Sequence, residues 1–378
     1  MITFQVFDQL SSAVDEHEYR ALMACSPNAT LFNHWPWLVT WLKHCDADRT
    51  LFIVGRNQRQ ELVAFMGLRL DREKLFGIPV QVARLLQYPW ADRLGQMLHQ
   101  DYLDKWDLVL DKLFQVIADE CDLMIWEQWH DSEDFRQRTL DWGRERSQSF
   151  YCMTTCQCPE YLLQGQTEEQ VVASYPSKMR TDLKRRRKKL AKLDGVIEHV
   201  RPSPEQVESL YQQLKQVESQ SWKGDEGMGI FNHPTGSEFF AELAPALAAE
   251  GHLDLVLAYI DGKLASYKFG FYFNNRFLDY SIAYLPEYSK LALGRILLDE
   301  IVLEAARSGY EAVDASRVGP YTRHLLLERS QKTIPHWRLY WFRRNLKGQA
   351  IRFIVTVAKP IARRLRSRWQ DWQQRKAG

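Results

Sequence analysis

Residues 277–321, FLDYSIAYLPEYSKLALGRILLDEIVLEAARSGYEAVDASRVGPY, constrain the fold more than any other stretch. Leu278, Tyr280, Ile282 and Tyr284 alternate with the smaller or polar Asp279, Ser281 and Ala283, which predicts a strand over 277–284. A loop follows to Gly294. From there Leu297, Leu298, Ile301, Val302 and Ala305 recur at helical spacing until Gly309 stops the helix. Residues 310–316 read as the next strand. A glycine opening a helix behind a strand leaves backbone N–H groups free, with the helix dipole behind them, and this makes a seat for phosphate. Leu293, Gly294 and Arg295 are the residues of that seat, the glycine sparing the Cβ that would obstruct a ligand.

Upstream, 254–260 and 264–273 read as two further strands joined at Asp261-Gly262-Lys263, with Asn274-Asn275 ahead of Arg276. The first half of the chain repeats the rhythm. Strands over 50–54, 61–70 and 80–88 are preceded by a helix at 35–44 and followed by a helix at 103–118 and a strand at 123–127. No glycine opens a helix directly behind the third of these strands; a polar stretch over 90–100 intervenes. Two readings stand: a copy of the same fold without a cofactor seat, and a generic α/β domain.

Three antiparallel strands, a phosphate-loop helix and another strand resemble the acyl-CoA N-acyltransferase (GNAT) superfamily. More narrowly, the chain resembles its tandem, FemAB-like branch, whose members are often linked to cellulose or exopolysaccharide synthesis. The residues carrying this are WKG at 222–224, YSKLALGR at 288–295 and VDASRVGPYTR at 313–323, with a basic helix at 177–193 opening the domain. The resemblance covers roughly the last two-thirds of the chain. It implies an α/β (α+β) class with two tandem GNAT-like domains, their sheets mixed and mostly antiparallel, flanked by helices. The expected division is 1–160 for a degenerate copy, 161–342 for the acyltransferase domain and 343–378 for a basic amphipathic tail. Ser289, Ala292 and Gly294 fall where the superfamily loop usually carries Arg or Gln, Gly, and Gly or Ala. A lysine commonly follows the tyrosine after the last motif strand in this branch; here Thr322 follows Tyr321.

The activity implied is transfer from acetyl-CoA or another acyl-CoA to an amine or hydroxyl on a sugar, amino acid or lipid precursor, without a metal. Tyr321 is the expected catalytic group, its phenol serving the leaving thiolate. Asp279 could take a proton from the acceptor, or be an ordinary paired aspartate. Asp314 and Arg317 match the branch pattern and position substrate or pair with each other. Trp222 and Lys223 could line an acceptor pocket, although packing accounts for tryptophans equally well. Cys152, Cys156 and Cys158 fit no zinc spacing and read as buried thiols, with Cys156 and Cys158 on one strand face.

The chain of 378 residues is long enough for two cores, and its net charge of +2 predicts no polyanion partner by itself. The charge is uneven, however. Residues 178–192 hold nine Lys or Arg against Asp182 alone. The FemAB-like resemblance implies, as an alternative, an aminoacyl-tRNA-dependent transferase whose tRNA this segment would grip. In the tail, Ile351, Ile354, Val355, Ala358, Ile361, Ala362, Leu365 and Trp369 form an apolar stripe among arginines, which Pro360 would kink or split. That pattern suits an anionic membrane surface, RNA, or packing on the tail's own domain. A third alternative is a non-catalytic module at a membrane-bound polysaccharide synthase. The start of the sequence lacks a basic, apolar leader, no run approaches the roughly 20 apolar residues of a membrane span, and the six cysteines form no disulfide framework. A cytoplasmic location is the expectation.

Overall fold

A computed structural model describes residues 1–87, 89–129, 133–225, 227–317 and 329–361. The chain begins with β1 (Thr3–Phe7), α1 (Leu10–Ala13), α2 (Glu16–Ala24), α3 (Trp35–His44), β2 (Arg49–Arg56), β3 (Leu62–Leu75) and β4 (Ile78–Leu85). It continues through β5 (Met97–Leu98), α4 (Trp106–Glu120), β6 (Leu123–Trp129), α5 (Glu133–Glu145) and β7 (Ser149–Leu162). Next come α6 (Glu168–Ser174), α7 (Ser177–Ala191), β8 (Val196–Val200), α8 (Pro204–Ser219), α9 (Trp222–Asp225) and α10 (Pro234–Ala249). The last elements are β9 (Leu253–Ile260), β10 (Lys263–Phe273), β11 (Arg276–Tyr284), α11 (Leu293–Arg307), β12 (Ala312–Asp314), β13 (Lys332–Phe342) and α12 (Leu346–Phe353).

Two compact units result. Residues 1–29, 47–155 and 337–378 make the first, and residues 30–46 and 156–336 the second. Each unit has the same strand plan. In the first the order is β1-β2-β3-β4-β6-β13, antiparallel at every step except the parallel β4–β6 pair. In the second the order is β8-β9-β10-β11-β12-β7, again antiparallel except at β11–β12. A helix fills the crossover between the parallel strands, α4 in one unit and α11 in the other. The tandem plan and the mixed, mostly antiparallel sheets are those expected.

The boundaries differ from 1–160, 161–342 and 343–378. Helix α3 belongs to the second unit because Trp37, fully buried, meets Phe239, Phe240, Phe271 and Tyr280 edge-on there. The end of β13 belongs to the first, where Trp337–Phe342 pair with β6. Nor is the tail separate. Ile351 and Val355 join Val80, Val82, Leu123, Ile125 and Phe342 in a core cluster of the first unit. Lys347 reaches Asp122 at 2.6 Å. The expected tail stripe therefore splits, with Ile351 and Val355 buried and Ile361 exposed, while Ala362, Leu365 and Trp369 lie outside the described residues. Helical turns continue to Ile361 through a wide π-turn at Ile354–Ala358, a device that absorbs the ring of Pro360. Among the described residues no helix is long and apolar enough to cross a membrane.

Candidate functional site

The site is built around the start of α11. A 3-10 turn at Pro286–Leu291 leads to Ala292, whose left-handed backbone (φ 53°, ψ 52°) swings the chain into the helix. An L-residue there is strained by about 1 kcal/mol. Leu291 and Leu293, both buried, hold the turn from either side. The Arg295 N–H bonds back to the Ala292 carbonyl at 2.9 Å, while the N–H groups of Leu293 and Gly294 make no hydrogen bond among the described residues. Two unsatisfied donors with a helix dipole behind them favour an anion. Ser289 is exposed, and its carbonyl accepts the Ala292 N–H at 3.1 Å.

Gly294 is needed for a different reason from the one its position suggests. A Cβ there would stand 2.5 Å from Cδ1 of Ile282 on β11, so the glycine lets helix and strand approach each other. Its backbone is not left-handed; that role falls to Ala292.

Helix α7 is clamped to this turn. Arg186 donates to the Leu291 carbonyl at 3.1 Å and to Asp182 at 2.7 Å, and Arg187 donates to Asp299 and Glu300 at 2.8 Å each. Burial is the largest influence on the Asp299 carboxyl and lifts it above the ordinary range despite Arg187. The helix thus uses two arginines internally. Lys178, Asp182 and Arg185 of the same helix, with Arg295 and Arg329, help line a cavity of about 690 Å3.

Strand β11 carries a bulge beside the site. Phe269 of β10 pairs with Ser281 and Gly270 with Asp279, leaving Tyr280 as the extra residue. Tyr280 consequently joins Ser281 on the face of α8–α10, touching Phe240 and Phe271, while Asp279 and Ile282 share the face of α11. The parallel ladder with β12 covers only Arg276–Leu278, and β11 runs on past it to Tyr284.

Asp279 is buried and ion-paired with the equally buried Lys268 of β10. As a base it would have to share its lone pairs with that ammonium. Lys223 donates to Ser281 at 2.8 Å, which brings α9 against β11 but on the face away from the α11 turn. Trp222 beside it is 38% exposed, so it is available for contact. Asp314, buried, accepts the Ser316 N–H at 2.8 Å and fixes Ser316 in a left-handed turn (φ 52°), while Arg317 is exposed just after it. Tyr321 and Thr322 lie outside the described residues.

Three groups escaped sequence reasoning. Lys268 stands in the apolar run KLASYKFGFYF, and that interruption was the available signal. Arg186 was hidden among other cations. Glu218, fully buried, accepts the N–H groups of Ile230, Phe231 and Asn232 at 3.0, 2.7 and 3.1 Å and the Tyr267 hydroxyl at 3.2 Å. Burial pushes the Tyr267 phenol well up, so it stays a donor. Cys156, Cys158 and His336 converge within 4.8 Å, with the sulfurs 3.7 Å apart, and His34, Glu250 and His252 do likewise. The one-face reading of Cys156 and Cys158 anticipated the first group without its histidine; either set could hold a divalent ion.

Residues 177–322 match the model of an acetyltransferase (GNAT) domain. No curated protein matches the chain. Among solved structures it is similar to FemX, at 10% identity and a TM-score of 0.59 over 93% of this chain and 99% of that one. A conserved protein of unknown function from Bacteroides thetaiotaomicron is similar at 13% identity and a TM-score of 0.52, over 91% and 100%. So is the C-terminal domain of a protein assigned as a lysylphosphatidylglycerol synthetase from Agrobacterium fabrum, at 11% and 0.52, over 89% and 93%. Residues 177–322 thus match an acetyltransferase (GNAT) domain, and the fold of the chain is similar to that of FemX.

Proposed function

We propose that the second unit transfers an acyl group from an acyl-CoA thioester, acetyl or longer, to an amine or hydroxyl of a sugar, amino acid or lipid precursor. The observation that carries this is the start of α11, where the N–H groups of Leu293 and Gly294 make no hydrogen bond among the described residues and Arg295, next in the chain, lines a cavity with Lys178, Arg185 and Arg329. A pyrophosphate would take those donors, with Ser289, Ala292 and Arg295 framing it. The acceptor would attack the thioester carbonyl directly; the C–S bond breaks and the thiolate leaves, receiving the Tyr321 proton. The acceptor's own proton passes to water or to Asp279. Trp222 and Lys223 would face the acceptor, and Arg317, set by the Asp314–Ser316 turn, would orient it. The setting that suits such an acceptor is cell-envelope or exopolysaccharide synthesis at the cytoplasmic side of a membrane.

A second reading has an observation of its own. Lys178, Arg180, Lys184, Arg185, Lys188 and Lys189 are exposed along α7, a basic face that suits an aminoacyl-tRNA donor. Calorimetry with free CoA, acetyl-CoA, longer acyl-CoAs and tRNA separates the readings. The expected result is CoA binding that Lys178→Glu with Arg295→Glu weakens about tenfold or more. Silent CoA titrations beside steeply salt-dependent tRNA binding would transfer the proposal to the tRNA donor. CoA binding without transfer to any amine or hydroxyl would leave a non-catalytic module of a synthase complex.

A further inference from the structure

The face of the C-terminal helix that points away from its core is apolar. Leu346 is 85% exposed, Phe353 60%, Val357 38% and Ile361 50%. Their spacing of seven, four and four residues puts them on one side, opposite the buried Ile351 and Val355. The helix is therefore anchored by one stripe and shows a second to solvent. Residues 343–361 contain Arg343, Arg344, Lys347, Arg352 and Lys359 and no Asp or Glu. Beside the exposed stripe, Arg343, Arg344, Gln349, Arg352, Phe353 and Val357 help line a cavity of about 630 Å3. Arg352 is steadied there by Ser149 at 3.0 Å.

We propose that this face of the first unit docks on an anionic lipid surface, with Phe353, Val357 and Ile361 entering the headgroup–acyl boundary and the cavity of Arg343, Arg344 and Arg352 receiving a lipid phosphate. Charge complementarity selects this occupant. A second copy of the chain would bring the same cations face to face, and RNA would leave the apolar stripe in water. The stripe supplies apolar transfer and the arginines supply attraction to anionic headgroups, the two contributions that interfacial helices combine. The inference is independent of the acyl-transfer reading, because none of these residues belongs to the second unit.

The test is flotation of the full chain with phosphatidylcholine vesicles, with and without phosphatidylglycerol. Binding is expected only with the anionic lipid, weakened about tenfold by Phe353→Ser with Val357→Ser and about fivefold per residue by Arg343→Gln or Arg344→Gln. None of the four side chains is buried, so circular dichroism should be unchanged. Failure to float with anionic vesicles at low salt would overturn the proposal. Equal flotation of the Phe353→Ser, Val357→Ser variant would also overturn it, as would a stripe-dependent dimer that floats with neither vesicle.

Discussion

At residue scale, Gly294 shows how a correct location can carry an incomplete reason. Its place at the opening of a helix was legible from the glycine and the apolar spacing that follows. The neighbour that requires it, Ile282, was not, because contact between helix and strand depends on their distance and not on sequence order. Gly294→Ala should destabilise the protein by less than the about 1–3 kcal/mol of ordinary overpacking, because Cδ1 is the free end of the Ile282 side chain and alanine gains about 1 kcal/mol over glycine in a helix. Ile282→Val, which removes the Cδ1 that the new Cβ would meet, should recover part of that loss. Denaturant unfolding of the single and double variants measures this, and strictly additive effects would count against the contact. Lys268 gives a second case. Alternation placed Asp279 on its strand, but the bulge at Tyr280 decides which face it takes and therefore which partner it meets. Lys268→Met should cost about 3–5 kcal/mol by leaving a buried carboxylate uncompensated. Lys268→Met with Asp279→Leu should cost clearly less than the sum of the single changes.

At element scale, α3 was legible as a helix and misassigned as to its core. Trp37 and Trp41 announce an apolar stripe, yet nothing local says which sheet a stripe will cover. The long-range contacts that decide it include Glu242 of α10, bonded to Lys43 and to His44 at 2.7 Å. The Lys43 hydrogen bond, then that of His44, holds the Glu242 carboxyl below its ordinary range. A depressed carboxyl contributes stability above its unfolded pKa of about 4.3 and loses it as pH falls through the folded value. Glu242→Gln should therefore lower Tm at neutral pH, with the gap to the parent closing below about pH 4. Lys43 is 63% exposed, so the gap should be small and should shrink with salt. A gap that persists undiminished in acid would show that the carboxylate charge is not what holds α3.

At the scale of the whole molecule, the repeated strand rhythm revealed the tandem plan, because alternation and turn residues are local properties. The exchange of end strands was hidden: β13 follows the second unit in sequence, yet its last residues complete the sheet of the first. Among the described residues of the first unit, no helix opens directly behind β4 as α11 does behind β11. Where α11 follows β11 by one short turn, the first unit interposes β5, paired to β3 at Ala64 and Phe65, with Trp90, Leu94 and Met97 buried around it. The polar composition of this stretch hides these apolar contacts in the sequence. Stability should follow the same division. The cluster that holds Ile351, with Val80, Val82, Leu123, Ile125, Phe342 and Val355, falls within the first unit. Ile351→Ala should cost about 2–5 kcal/mol, as for other buried large-to-small changes. Native-state hydrogen exchange should then accelerate in β4 and β6 while β9, β10 and β11 keep their protection, since local opening follows the cluster that has been weakened. Equal acceleration in both sets of strands would mean that the two units open together, and the helix after β13 would then stabilise the whole chain and not the first sheet alone.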